Sequence, residues 1–528
     1  MGHKSSVAFY IAYFIVPLLF LSGYRIFIHP LRNYPGPTLG KITNAYAGWH
    51  AIRKRQHLAS YHDFQRFGSP VVRHGPGQLV FNTPKAFHDI YLNPRTTKGQ
   101  AYRASQLFAK YPSILNCIDK DQHRRKRKFI GLALTERSIR SFEPIMSTQV
   151  DIFLEQLSRS SEKREIVNVS PRLQRLGLDI IGLLSFGYHF NTQTDESHRF
   201  LQEVIDGMSW RINMYMAFPF AKPLERVFML CGAPKLLKFH HLVTNMIKMR
   251  MSEGKDACHD LYSVLADHVG KGQEGLYQGE LWPEAIFFIM AGGNTTAAAL
   301  SAAFFYLSRN PTVYDKLATE IRSTFKSGRE IHSGEKLKSC KYLRACIDET
   351  LRMSPAATVI SWRQIDPKAT TSSESWIVDG HIIPPGTQVG VPLYSLFHNE
   401  EYFPDSFTWK PERWLEDSLD ENQQQNKEES AARGAMRNAF HPFQAGDRSC
   451  LGKSMAYLEA SLTLARTLWH FDFETAPGPP GLVGAGTEGK TDGRGRPNEY
   501  QLYDIFTAGH DGPNLVFKAR TGACKDSE

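Results

Sequence analysis

The sequence predicts a mainly α-helical protein with small antiparallel β-sheets, preceded by one N-terminal transmembrane helix. Three observations carry that expectation. The chain opens with twenty consecutive uncharged residues, it shows long stretches of apolar residues at helical spacing from about residue 120, and it contains only a few short β-like runs. Its 528 residues are 42% hydrophobic and 22% charged, an ordinary globular mix that excludes global disorder. Seven cysteines with no C-x-x-C pair exclude a disulfide-stapled scaffold, paired-cysteine zinc modules and a thioredoxin-like dithiol. The balance of 63 basic against 53 acidic residues, +10, suits nucleic acid, an anionic membrane surface or an acidic protein.

Residues 5–24, SSVAFYIAYFIVPLLFLSGY, would span roughly 30 Å as a helix, about one hydrocarbon core. Pro17 is tolerated in such a span, and the apolar run exceeds the ~7–15 residue core of a cleaved signal. Positive charge is heavier after it (Arg25, Arg32, Lys41) than before it (Lys4), which places the body on the cytoplasmic side. Residues 25–40 contain HPLRNYPGPTLG, whose prolines and glycines predict a stiff hinge. Residues 41–528 then form the body.

Within the body, PVVRHG (70–75), QLVFNT (78–83) and WIVDGHII (376–383) read as strands, and 500–518 as a final hairpin. The segment EAIFFIMAGGNTTAAALSAAFFYLSRNP is apolar nearly all round, so it predicts a helix buried through a large core and stopped before Pro311. Polar stretches at 417–438 and 476–498 read as surface insertions. There is no repeat of fixed period, and GxSxG, HExxH and GxxxxGK[ST] are absent.

The strongest chemical signal is FQAGDRSCLG, residues 443–452. It sets Cys450 after a glycine-bearing turn and before a predicted helix, where backbone N–H groups and the positive helix end favour a thiolate. Arg448 adds a cation able to hold an anion. The stretch resembles the haem-binding loop of the cytochrome P450 family, Phe-x-x-Gly-x-Arg-x-Cys-x-Gly. Phe443, Gly446, Arg448, Cys450 and Gly452 match every defined position. The resemblance implies the cytochrome P450 fold, haem b as cofactor, and Cys450 as the axial thiolate on its iron.

Two further matches lie elsewhere. Glu349 and Arg352 form Glu-x-x-Arg, which alone reads as a solvated helical pair. With Arg413 in PERW (411–414) it resembles the charge network that braces the family's scaffold behind the haem. Ala291-Gly292-Gly293-Asn294-Thr295-Thr296 resembles the helix crossing the distal face, where Thr295 matches the alcohol that delivers protons to bound dioxygen. Asn294 stands where the family has an acid; both are expected to be catalytic, although an amide cannot relay a proton by ionising. Two glycines mid-helix cost about 1 kcal/mol each, so close approach of a ligand or a widened turn is expected there.

By resemblance, His123 and Arg127 in QHRRKRK, together with Arg363, grip the haem propionates. The run Arg124–Lys128 otherwise reads as a solvated face or a nucleic-acid patch, but no stacking aromatics or nucleic-acid module accompany it. The family implies instead an acidic NADPH-cytochrome P450 reductase docking on this basic side. The substrate pocket is expected to be apolar and to draw on Tyr102, Phe108, Ala291, Thr358, Val359, Ile360 and Phe506, with Met208, Trp210, Met216, Phe218 and Phe220 near it.

The anchor and hinge resemble fungal microsomal members. They imply a single-pass protein of the endoplasmic reticulum membrane, its catalytic domain cytoplasmic, that uses O2 on a lipophilic secondary metabolite. Two alternatives remain open: a haem-thiolate isomerase or dehydratase needing no O2, and a non-catalytic haem sensor or carrier. The sequon at Asn294, in a buried cytoplasmic helix, is expected to stay unmodified, and the same cytoplasmic topology argues against that at Asn168.

Overall fold

A computed structural model describes residues 2–107, 110–272, 275–369, 374–415 and 427–520. Helix Gly2–Phe27 takes in the uncharged run with Pro17 inside it, and Ile15, Val16, Leu18, Leu19 and Phe20 on it are exposed. Among the described residues, the helix long and apolar enough to cross a membrane is Gln278–Arg309, and 72% of its apolar window is buried in the protein. It is the predicted core helix.

The hinge is not a free spacer. Leu31 is fully buried, and Arg73 donates to the carbonyls of Arg25 (2.8 Å) and Leu31 while its own N–H reaches Pro35 (2.7 Å). A prolyl segment offers few donors of its own. A buried arginine satisfying its carbonyls therefore clamps it onto the strand Val71–Gly75.

That strand begins a five-stranded sheet with Gln78–Phe81, Gln388–Gly390, Arg363–Ile365 and Thr96–Lys98, in that order. Its pairings are antiparallel except that between Gln78–Phe81 and Gln388–Gly390, which is parallel. Trp376–Val378 and His381–Ile383 pair as a hairpin around Asp379 and Gly380. The expected hairpin at 500–518 is instead divided. Tyr503–Ile505 pairs with Thr507–Gly509, whereas Asn514–Ala519 leaves to become the middle strand between Ile166–Asn168 and Phe471–Thr475. Pro513 lacks a ladder donor and separates the two units, and Leu515 and Phe517 are buried on the helical core.

The body is helical around the central helix Leu281–Arg309. Its partner is the flanking helix Val169–Phe186, and the glycines explain the close fit. A Cβ on Gly177 would lie 2.7 Å from the Gly293 carbonyl oxygen; one on Gly292 would meet Ile181 at 2.7 Å, and one on Gly293 Leu178 at 3.0 Å. The mid-helix glycines thus serve helix-to-helix approach, and the helix runs on in regular α geometry. It ends at Arg309, and Pro311 opens the next helix, Pro311–Thr324. A roof helix, Phe200–Ala217, passes over the same region.

The first polar insertion is partly outside the described residues. Its second half is the helix Lys427–Ala439, which buries Met436 and Ala439. The second is not loose surface: Arg494 donates to the Leu502 carbonyl (3.0 Å) and Gln501 (3.2 Å). Asn168 caps the flanking helix by accepting from Ser170 N–H and donates to Asp511 at 2.8 Å.

Candidate active site

Between the central helix and the 442–452 loop lies a cavity of about 350 Å³. Phe287, Phe288, Ala291, Gly292, Thr295 and Thr296 form one wall; Phe443, Arg448, Cys450 and Gly452 form the other. Local backbone chemistry builds the second wall. Gly446 has φ +70°, and a Cβ there would lie 2.2 Å from the Tyr91 carbonyl oxygen, so only glycine fits the turn. Cys450 N–H donates to the Phe443 carbonyl (2.9 Å) and Ser449 N–H to that of Gly446 (3.0 Å), closing the loop. Gly452 then leads into the helix Lys453–His470.

The Cys450 side chain is open, but what it opens onto is this interior cavity. Burial pushes its thiol up, and the Gly452 amide, Arg127 and Lys453 pull the other way. The helix end and the nearby cations therefore do not by themselves favour the thiolate; a bound metal ion is what would deprotonate it outright.

One edge of the cavity is crowded with basic side chains. His123, Arg127, Arg448 and Lys98 line it, and Arg363 lines the adjoining opening with the first three of these. Arg127 donates to Ser449 O (2.7 Å) and Oγ (3.0 Å), and Arg448 to the carbonyls of Cys117 (2.8 Å) and Ile118 (3.2 Å). Arg363 lies over the Tyr91 ring and donates to the Trp362 carbonyl. Burial, and then Lys98, Arg448, Arg127 and Arg363, drive His123 far below the imidazole range. Burial, and then Arg363, pushes Arg448 down to about 10. The three guanidiniums, beside an imidazole they keep neutral, demand an anion. A slot with apolar walls, a cysteine thiol on its floor and arginines along one edge fits haem, whose two carboxylates those arginines would hold.

On the distal wall, Thr295 Oγ1 donates to the Ala291 carbonyl at 2.8 Å, which leaves its lone pairs to the cavity. Asn294 corrects expectation. Helical rotation turns it out of the cavity, and its 1%-exposed side chain meets the roof helix, accepting from Gln202 (2.6 Å) and donating to Asp206 (2.8 Å).

Behind the slot, Glu349 and Arg352 are fully buried and paired twice at 2.9 Å. Arg413 Nε (3.0 Å), Trp414 Nε1 (2.9 Å) and Lys410 N–H (2.9 Å) donate to the same carboxylate, while Arg352 reaches the carbonyls of Phe397 (2.8 Å) and Ser406 (2.7 Å).

The pocket expectations divide. Ala291 lines the cavity, and Met208 and Ile212 line a small void of about 50 Å³ that shares Leu115 and Phe287 with it. Tyr102 stands behind Lys98, its ring 5.2 Å from the ammonium. Val359 and Ile360 belong to the core, Ile360 covering Gly390, and Thr358 is buried beside Asp504. Ala356 and Ala357 face the cavity in their place. Phe506 tips the Tyr503–Gly509 hairpin at φ +87° and packs on the core. Phe220 is 81% exposed, Met216 is buried, Trp210 donates to the Ile52 carbonyl (3.3 Å) and Phe218 sits against Gly48. Phe108 lies outside the described residues.

Two buried charged groups escaped the sequence reading. Lys98 donates to the Ile114 carbonyl at 2.9 Å, and burial and then Arg448 hold it well below the usual ammonium range. Glu459, about two turns beyond the cysteine loop, is the carboxyl among the cavity-lining side chains. For Glu459 the signal was an ionisable residue inside the apolar periodic stretch 453–470, whereas Lys98, in the polar stretch PRTTKGQ, carried none.

Comparison with known proteins agrees with this geometry. The family described as Cytochrome P450 matches residues 40–482. The chain is 33% identical to the cytochrome P450 monooxygenase poxM of Penicillium oxalicum, over 96% of this chain and 94% of that one. It is 32% identical to AKT7 of Alternaria alternata, over 94% of each, and 31% identical to apf7 of Gibberella fujikuroi, over 98% of each; both are named cytochrome P450 monooxygenases.

Proposed function

From the premise that this chain belongs to the cytochrome P450 family and is a haem-thiolate monooxygenase, we propose that it inserts one oxygen atom of O2 into a lipophilic secondary metabolite. The electrons come from NADPH through a cytochrome P450 reductase, and the body is held on the cytoplasmic face of the endoplasmic reticulum by helix Gly2–Phe27. The observation that carries the reading is the facing of Cys450 and Thr295 across one apolar cavity with a cationic edge.

Haem b held there supplies iron-centred activation of dioxygen, which a thiolate ligand promotes. The residues of the chain do the rest. Cys450 would supply the thiolate to the haem iron, and Arg127 fixes the preceding Ser449. Arg127, Arg363 and Arg448 would hold the haem carboxylates by charge, with His123 and Lys98 beside them as hydrogen-bonding groups. Thr295 presents hydroxyl lone pairs that hold a water beside the reacting face. The aromatic and aliphatic walls exclude bulk water and favour an apolar substrate.

Two surfaces support the partners. Exposed Phe27, Ile28, Trp49 and Ile52, with Phe220, Leu224, Val227 and Leu230, make an apolar shoulder beside the N-terminal helix; Trp210–Ile52 and Phe218–Gly48 join its two halves. That suits a bilayer. On the cysteine side, Lys341, Arg344, Arg437 and Lys453 surround a recess of about 560 Å³ beside Phe443 and Gln444, which suits an acidic reductase.

Membranes bearing the protein with a fungal reductase, NADPH and isotopically labelled dioxygen should convert an apolar extract of the producing host to a product carrying one labelled atom. Turnover without O2 or NADPH would establish the isomerase or dehydratase reading, and Cys450→Ser with full turnover would end both.

A further inference from the structure

The amide at 294 has a partner that accounts for it. Asn294 Nδ2 donates to Asp206 Oδ1 at 2.8 Å, and Gln202 Nε2 bridges the two, donating to Asn294 Oδ1 (2.6 Å) and to Asp206 Oδ1 (2.9 Å). Gln202 and Asp206 share one face of the roof helix, one turn apart, and Asn294 is buried at the central helix. An acid at 294 would set two carboxylates at hydrogen-bond distance, where one must take up a proton or the helices must part. A carboxylate facing an amide meets no such conflict.

We propose that Asp206 and Asn294 are a matched acid–amide clasp that fixes the roof helix over the cavity, making Asp206 a positioning residue for access to the substrate space. Met208, two residues beyond Asp206, and Ile212 close the small void from the roof side, against Ile286, Phe287 and Met290 of the central helix. Leu115 and Phe287 line both this void and the larger cavity, so the height of the roof helix sets the passage between them. Asp206 also lies near enough to His510, beyond the Thr507–Gly509 strand, to oppose the lowering of that imidazole by burial. The clasp thus stands where roof helix, central helix and terminal hairpin meet. The inference rests on the monooxygenase reading only for the identity of what passes.

The test measures carbon monoxide association with the reduced full-length haem protein after flash photolysis, a readout that needs neither substrate nor reductase. Asp206→Asn keeps an acceptor for the amide, so its rate should stay within about twofold of wild type. Asn294→Asp should speed association about tenfold, the factor that one pKa unit of like-charge repulsion supplies. Adding Asp206→Asn to Asn294→Asp exchanges acid and amide between the helices and should return the rate to near that of wild type. If the double variant is as fast as Asn294→Asp, or if Asn294→Asp leaves the rate unchanged, the clasp is refuted. Should Asn294→Asp not retain haem, the same comparison is read on haem content: recovery in the double variant supports the clasp, and no recovery overturns it. A protein that binds carbon monoxide in the predicted order but oxygenates nothing would overturn the catalytic reading alone.

Discussion

Glu459, on the helix that follows the cysteine loop, stands beside Thr296 of the central helix at the wall of the cavity. Glu459 is 4% exposed, and burial pushes its carboxyl from the ordinary 4.5 up to about 8. In the folded protein it is neutral at pH values where the unfolded chain has already released its proton. Its stabilising contribution is therefore complete below about pH 4.5 and lost as the pH climbs through about 8. Glu459→Gln fixes the neutral form. Its melting temperature, measured on the haem protein, should gain on that of wild type from about pH 4.5 to about pH 8 and level off above. Parallel pH curves would mean that Glu459 is charged throughout.

The Glu349 carboxylate receives five hydrogen bonds, from Arg352 twice, Arg413, Trp414 and the Lys410 amide. Removing one buried partner leaves the other charge uncompensated, which costs about 3–5 kcal/mol. Arg352→Ala should be the most damaging change, because three backbone carbonyls lose their donor as well. Trp414→Phe should cost about 1–3 kcal/mol, one donor to a buried charge. Urea midpoints and haem content are expected to fall in the order Trp414→Phe, Arg413→Ala, Arg352→Ala. Equal losses would show that no network exists.

What could be read from the sequence follows how locally each feature is determined. The cysteine loop was legible because Phe443, Gly446, Cys450 and Gly452 act within ten residues, through a turn that only that order allows. Glu349, Arg352 and Arg413 were legible because a helical turn and a fixed motif bring them near. The direction of Asn294 was not, since it depends on a helix almost ninety residues away in the chain. Lys98 enters the cationic edge from a strand far from the loop, and the 500–518 segment splits because Leu515 and Phe517 pair with distant strands. Local chemistry sets the motif; tertiary partners set which way each side chain faces.

The run Arg124–Lys128 shows the same division inside one helix. Arg124 and Lys128 are exposed, whereas Lys126 is fully buried and paired with Glu284 (2.9 Å) and Glu280 (3.0 Å), and Arg125 reaches Glu280 at 2.6 Å. Lys126→Met should destabilise by about 3–5 kcal/mol, because two buried carboxylates lose their shared cation. Charge reversal at Arg124 and Lys128 should leave stability within about 0.5 kcal/mol but slow electron transfer from the reductase and flatten its salt dependence. Stopped-flow reduction and thermal melts separate the two. If all three changes act alike, the helix is a uniform surface after all.

Glycine offers a last contrast. Gly434 lies on the exposed side of helix Lys427–Ala439 with nothing within 4 Å of a built Cβ, so Gly434→Ala should stabilise by about 0.5–1 kcal/mol through helix propensity alone. At Gly446, the same methyl must enter a left-handed backbone and meets the Tyr91 carbonyl oxygen at 2.2 Å, a backbone atom that cannot swing aside. Relief requires the loop to move, and with it Arg448 and Cys450, two and four residues on. Gly446→Ala is therefore expected to lose haem at a concentration of denaturant where Gly434→Ala keeps it. The sulfur-ligated spectrum of the reduced carbon monoxide complex reports that loss before the helices unfold. A Gly446→Ala protein with full haem content and an unshifted spectrum would show that the turn does not position the ligand.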